Sequence, residues 1–180
     1  MTSALTQSGA PSAPALAPAD ELLLVRELER FVIHELELLD TRDFEAWNAL
    51  FAPDGVYWAP SRVDQVDPIG ELSLFYDDRE IRDMRFARLR HPRAHSQIPF
   101  TRTSHLVGNF VIDSVDAKTG SYAFHCRFVT YDFRPELPQR EFAGRYDYRL
   151  VRDGGTFKIK FKKAVAINCD ATHLPISVPI

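Results

Sequence analysis

The chain has 180 residues, 45% hydrophobic and 26% charged, with a formal net charge of −3. That length predicts one domain able to bury its own core. The acidic balance excludes a generic nucleic-acid or anionic-membrane binder, which would carry a basic surplus. Cys126 and Cys169 lack the spacing of a zinc site or a disulfide framework, as suits a reducing cytoplasm. No apolar run reaches the ~18 residues of a membrane span. The first residues also lack the basic start and apolar core of a signal peptide, so the expected location is cytoplasmic.

Residues 1–19 are uncharged and rich in Ala, Ser and Pro. They predict an arm, flexible or docked on a partner, ahead of one domain over 20–180. Asp20 is the expected cap of a helix running to about Leu39. Its stripe is Val25, Leu28, Val32, Leu36 and Leu39, at helical spacing. Beyond Thr41-Arg42-Asp43, the residues Phe44, Trp47, Leu50 and Phe51 predict a short helix near 44–51. Pro53-Asp54-Gly55 then turns the chain into a strand near 56–59, which Pro60 stops. From 61 to 77 there is no period, with Pro68 and Gly70 as breakers, and a long loop is expected.

Asp77 or Asp78 is placed to cap a third helix over 79–90. Ile81, Met84, Phe86 and Leu89 form its narrow apolar stripe in a surface dense with arginine. An irregular stretch follows His91-Pro92. From Thr103 the period becomes two, and four strands are predicted at 103–113, 121–133, 141–152 and 156–168. In the last, Phe157, Ile159, Phe161, Val165 and Ile167 alternate against Lys158, Lys160 and Lys162, which are expected on the wet face. The apolar tail 174–180 is expected to pack. Helices followed by an antiparallel meander make an α+β domain: three N-terminal helices on the concave face of a bent sheet, a cone with an inner cavity.

No glycine-rich phosphate loop, HExxH or Cys/His cluster is present. The polar residues that could face the cavity are Asp40, Tyr57, His105 and His125. An Asp–His pair can hold one imidazole tautomer and supply a general base, with Tyr orienting a carbonyl, as dehydration or isomerisation requires. That chemistry needs all four side chains in one cavity, with Asp40 about 3 Å from a histidine. The plainer reading has Asp40 capping a turn, Tyr57 packing with a wet hydroxyl, and each histidine bonding a backbone carbonyl.

A series of short pieces runs the length of the chain. His34-Glu35-x-x-Leu38-Leu39-Asp40 is followed by Phe44-x-x-Trp47-x-x-Leu50-Phe51, Tyr57-Trp58-x-Pro60, Asp77-Asp78 and Met84-x-x-Ala87-Arg88-Leu89. Thr101-Arg102-Thr103-x-His105-Leu106-Val107-x-Asn109, Gly144-Arg145, Tyr148-x-Leu150, Lys162-Lys163 and Ile167-Asn168 complete it. In this order they resemble the small (β) subunit of aromatic-ring-hydroxylating dioxygenases, within the superfamily of scytalone dehydratase and nuclear transport factor 2.

The resemblance implies a cone-shaped NTF2-like (cystatin-like) fold with about three N-terminal helices on a strongly bent, mainly antiparallel sheet. It also implies a non-catalytic, structural and assembly subunit of a bacterial enzyme of aromatic compound catabolism, with no catalytic residue, cofactor or metal of its own. The Rieske cluster and the mononuclear iron would lie in a large α subunit. That α subunit and other β subunits would be the partners, in a hexamer of three α and three β chains. His125 stands where the family leads one to expect arginine. With Asp40, Tyr57 and His105 it approaches the polar set of the dehydratase branch, so the alternatives are a stand-alone dehydratase or isomerase and a small-ligand-binding protein.

Overall fold

The leucine stripe is the buried face of helix α1 (Pro18–Asp40) in the computed structural model, which describes residues 17–92 and 98–180. Leu28, Val32, Leu36 and Leu39 on that face all lie in the core. The helix opens on Pro18, with Ala17 at the cap and Asp20 and Glu21 inside the first turn. Proline loses nothing there, because its missing N–H would have had no helical partner. Asp20 therefore meets the positive end of the helix dipole and is not the cap. Pro18 and Ala19 belong to α1, and the rest of the expected arm, residues 1–16, lies outside the described residues, as do 93–97 of the irregular stretch.

Helix α2 (Phe44–Ala49) is capped by Asp43, whose side chain accepts from Ala46 N. Strand β1 (Phe51–Pro60) begins earlier than the expected 56–59, because Asp54-Gly55 forms an irregularity within the strand. The expected loop up to Asp77 ends in a short strand, β2 (Ser73–Asp77), paired antiparallel to β1 at the sheet edge. Five residues are too few for a period of two to declare itself beside Pro68 and Gly70. Helix α3 (Arg79–Arg90) follows, with Asp78 Oδ1 accepting from Ile81 N at 2.9 Å.

Strands β3 (Arg102–Asp116), β4 (Ser121–Phe133), β5 (Arg140–Asp153) and β6 (Thr156–Ala166) form the predicted meander. The sheet order is β2-β1-β6-β5-β4-β3, antiparallel throughout except where β1 runs parallel to β6. Three helices on such a sheet make an α+β, NTF2-like fold of the scytalone dehydratase type. Among the described residues no helix is long and apolar enough to cross a membrane.

Two expected faces are corrected. In β6, Leu150 pairs with Ile159 while the adjacent Arg149 pairs with Phe161, so one extra residue, Lys160, is bulged. A single inserted residue reverses which side chains point inward. Phe161 turns outward, 4.4 Å from the Arg149 guanidinium, and Lys162 turns into the core with Ala164 and Ala166. Of the three ladder lysines only Lys162 leaves the wet face; Lys158 and Lys160 stay at the surface.

In α3, Ile81 and Met84 are exposed and the buried pair is Arg82 and Phe86. Arg82 is accommodated because its guanidinium donates to Asn48 Oδ1 (2.7 Å), Gly55 O (2.7 Å) and Asp77 O (3.0 Å). It also lies 4.0 Å from the centre of the Phe51 ring. Phe86 stacks on Phe44 at 4.7 Å and meets Trp47 edge-on, and Trp47 in turn packs on Phe51 and Tyr57. This aromatic cluster joins α2 and α3 to β1.

Candidate functional site

The concave interior is organised by Glu35, which the helical spacing Leu28–Val32–Glu35–Leu39 places on the buried face of α1. Its Oε1 accepts from Trp47 Nε1 at 2.6 Å and from Lys162 Nζ at 2.8 Å. Oε2 accepts from Tyr148 OH at 2.7 Å. Lys162 Nζ also lies 4.2 Å from the centre of the Tyr146 ring. Neither charged side chain is exposed, so each carries the full cost of leaving water and depends on the other to offset it. Burial raises the Tyr146 and Tyr148 phenols well above their ordinary value and pushes the neighbouring Cys126 thiol up to about 12. A tyrosine-lined ion pair thus lies in the concave interior.

Sequence reading placed none of these residues in a site. For Glu35 a signal was available: it is the one acidic residue on the apolar stripe of α1, between Val32 and Leu39. For Lys162 none was, because the bulge that turns it inward leaves no mark on the alternation.

Of the four proposed pocket residues, two meet. Asp40 ends α1, and β3 brings His105 Nδ1 to 2.6 Å from Asp40 Oδ1. The same carboxylate accepts from Thr103 Oγ1 at 2.7 Å and from the His105 backbone N at 2.9 Å. Burial works to raise the Asp40 carboxyl, but these bonds from His105 and Thr103 outweigh it and hold the carboxyl below its ordinary value. With a carboxylate at Nδ1, the imidazole keeps its proton on that nitrogen.

The other two residues lie elsewhere. Tyr57 is fully buried, its hydroxyl donating to Ile180 O at 2.9 Å and accepting from Ile180 N at 3.2 Å. Burial raises that phenol well above its ordinary value. The tail to Ile180 thus packs into the core, and Tyr57 has no wet hydroxyl. His105 faces Thr130 across the β3–β4 ladder, on the concave side, whereas His125 faces Asp147 and Val111 between the inward-facing Phe124 and Cys126. His125 is therefore on the convex side, 2.8 Å from Asp113 Oδ1. The four side chains do not share a cavity, because side chains one residue apart on a strand point to opposite faces. Neither His105 nor His125 uses Nδ1 on a backbone carbonyl, as the plainer reading supposed. Among the described residues no three His, Cys, Asp or Glu side chains stand together as metal ligands would.

The sequence model of the ring hydroxylating beta subunit family matches residues 34–171. The chain belongs to that family. The small oxygenase component of the p-cumate 2,3-dioxygenase system of Pseudomonas putida is 37% identical over 140 residues, 76% of each chain. The benzene 1,2-dioxygenase subunit beta of Pseudomonas putida is 30% identical over 142 residues, 74% of this chain and 75% of the relative. The crystal structure of the beta subunit of the benzoate 1,2-dioxygenase from Burkholderia mallei superposes with a TM-score of 0.67 at 25% identity, covering 90% of this chain and 98% of that one.

Within this β-subunit framework several of the pieces that carried the resemblance become single contacts. His34-Glu35 and Lys162-Lys163 supply the two ends of the buried ion pair. Leu38-Leu39-Asp40 and Thr103-x-His105 meet where α1 ends on β3. Gly144-Arg145 places a glycine where β6 approaches so closely that a Cβ would strike the Val165 carbonyl oxygen. The pieces are packing and junction points of one β-subunit fold.

Proposed function

We propose that this chain is the structural, assembly subunit of a bacterial Rieske-type aromatic-ring-hydroxylating dioxygenase, without an active site of its own. The observation that carries the reading is membership of the ring hydroxylating β-subunit family over 34–171. The buried Glu35–Lys162 pair, bonded to Trp47 and Tyr148 in the concave interior, supports it as a structural feature of the fold. Oxygen chemistry then belongs to a partner α subunit holding the Rieske cluster and the mononuclear iron. The assembly is three α and three β chains in the cytoplasm, each β chain contributing one domain that begins with α1 at Pro18.

Co-expression with a Rieske-type α chain tests this. The expected result is a co-eluting α–β complex whose ring oxygenation survives Asp40→Asn and His105→Ala in every complex that assembles. A chain that stays monomeric beside its α candidate overturns the reading. So does an assembled His105→Ala complex that has lost turnover.

The Asp40–His105 pair favours a second reading, a pocket protein of the dehydratase or isomerase type, since an imidazole oriented by a carboxylate is a general base in form. Turnover of a hydroxylated cyclic ketone by the chain alone, abolished by His105→Ala, would establish it. Without Tyr57 and His125 in the same cavity, the pair better fits a latch between α1 and β3.

A further inference from the structure

The convex face of the sheet carries a feature that neither the concave interior nor the assembly reading uses. Outward-facing Arg127 on β4 lies directly across the ladder from Arg145 on β5. Like charges in directly opposed positions repel. Arg145 is engaged by Asp147, its Nε 2.7 Å from Oδ1. Among the described residues Arg127 has no hydrogen-bond or ion-pair partner. Lys163 adds a third cation, held in place by the Gln65 carbonyl oxygen (3.2 Å) and by the Trp58 ring 4.1 Å away.

These groups line a depression of about 300 Å3 on the convex face. Its carboxylate, Asp147, is already taken by Arg145, so three cations share one anion.

The walls are apolar: Val63 on one side, Val165 and Ile167 on the other, with Val63 and Ile167 exposed. The apolar surface continues along the 61–72 loop, where Val66, Ile69 and Leu72 are each more than 80% exposed. Arginine is enriched at protein interfaces, and contiguous exposed apolar surface marks them.

We propose that this convex-face depression is a docking site for an acidic segment of a partner protein, one that sets a Glu or Asp carboxylate between Arg127 and Arg145 and an adjacent aliphatic or aromatic side chain on Val63 and Ile167. An arginine fork takes a carboxylate through two parallel hydrogen bonds, which fixes direction as well as charge. A free small carboxylate would satisfy the arginines and leave the 61–72 loop bare, and for that reason the occupant is a chain segment.

The test uses the full-length chain and a fluorescein-labelled peptide of alternating Glu and Leu, read by anisotropy. Arg127→Glu and Lys118→Glu change the net charge equally, and Lys118 lies in the exposed β3–β4 turn, remote from the depression. Among the described residues Arg127 makes no bond, so its reversal should leave folding intact, which circular dichroism checks. The expected result is saturable binding weakened at least tenfold by Arg127→Glu and by Ile167→Asp, and unchanged by Lys118→Glu. Equal weakening by Lys118→Glu overturns the proposal in favour of general electrostatics. Absence of binding at millimolar peptide overturns it too, as does equal binding of a Lys-Leu peptide. Displacement by acetate at the peptide's own concentration would reassign the depression to small anions.

Discussion

Lys162 Nζ lies 2.8 Å from Glu35 Oε1 with neither side chain exposed to solvent. The lysine reaches that position only because the bulge at Lys160 reverses the facing of β6. Removing one partner strands the other in the core. Lys162→Met should therefore cost about 3–5 kcal/mol, seen as a lower urea midpoint at unchanged slope. The double variant Glu35→Leu with Lys162→Met should recover part of that loss only, because Trp47 Nε1 and Tyr148 OH then lose their acceptor. A single variant as stable as the parent would show that the pair is not formed.

Asp40 contributes to the acid side of the stability curve. Its folded carboxyl is held below the ordinary 3.8 by His105 and Thr103, against the opposing effect of burial. A depressed folded value means that the stability it contributes is complete above the unfolded value, about pH 4, and is lost as pH falls through the folded one. Asp40→Asn should lower stability at pH 7 and narrow its gap to the parent as pH drops below about 4. Urea titrations at pH 7, 4 and 3 measure that gap, and a constant gap would contradict an ionised Asp40.

Arg82 is buried as a charge but spends its donors on three fixed acceptors, Asn48, Gly55 and Asp77. Burial pulls its guanidinium down to about 10, against partial support from Asp77, so it stays charged at neutral pH. A lysine cannot present the same fork. Arg82→Lys should cost about 1–3 kcal/mol, whereas Arg88→Lys on the exposed side of α3 should stay within about 0.5 kcal/mol. Thermal melts of the two variants make the comparison.

The cysteines report on opening of the core. Burial pushes the Cys126 thiol up to about 12 and raises Cys169 as well, and both side chains are shielded from reagent in the folded chain. Ellman's reagent should find no fast-reacting thiol in the folded chain and both in urea. Rapid labelling of Cys126 would mean that the concave interior opens without global unfolding.

Much of this fold was legible because it rests on long periodic segments. Leu28, Val32, Leu36 and Leu39 announced α1, the alternation from Thr103 onward announced four strands, and Asp78 stood at a helix cap. What escaped has physical causes. The bulge at Lys160 is a pairing event with a neighbouring strand, invisible to the alternation of β6 alone. Arg82 was assigned to the surface by its chemistry, although its position relative to Phe86 is inward. The Asp40–His105 contact was anticipated from residue type, but the convex placement of His125 depends on strand phase. Counting from Phe124 and Cys126 would have found it.

The parallel pair of β1 with β6 carries a consequence for how the protein is made. β6 is the last strand of the chain, yet it lies between β1 and β5 and joins the early β1–β2 hairpin to the rest of the sheet. Until residues 156–166 leave the ribosome, β1 has no strand on its inner edge and α1 has no Lys162 to face Glu35. Helices and early strands made first must then wait, half-paired, for the final strand to close the sheet. Nascent chains ending before Thr156 are the form most exposed to wrong partners, and the closing contacts, far apart in sequence, set the pace of folding.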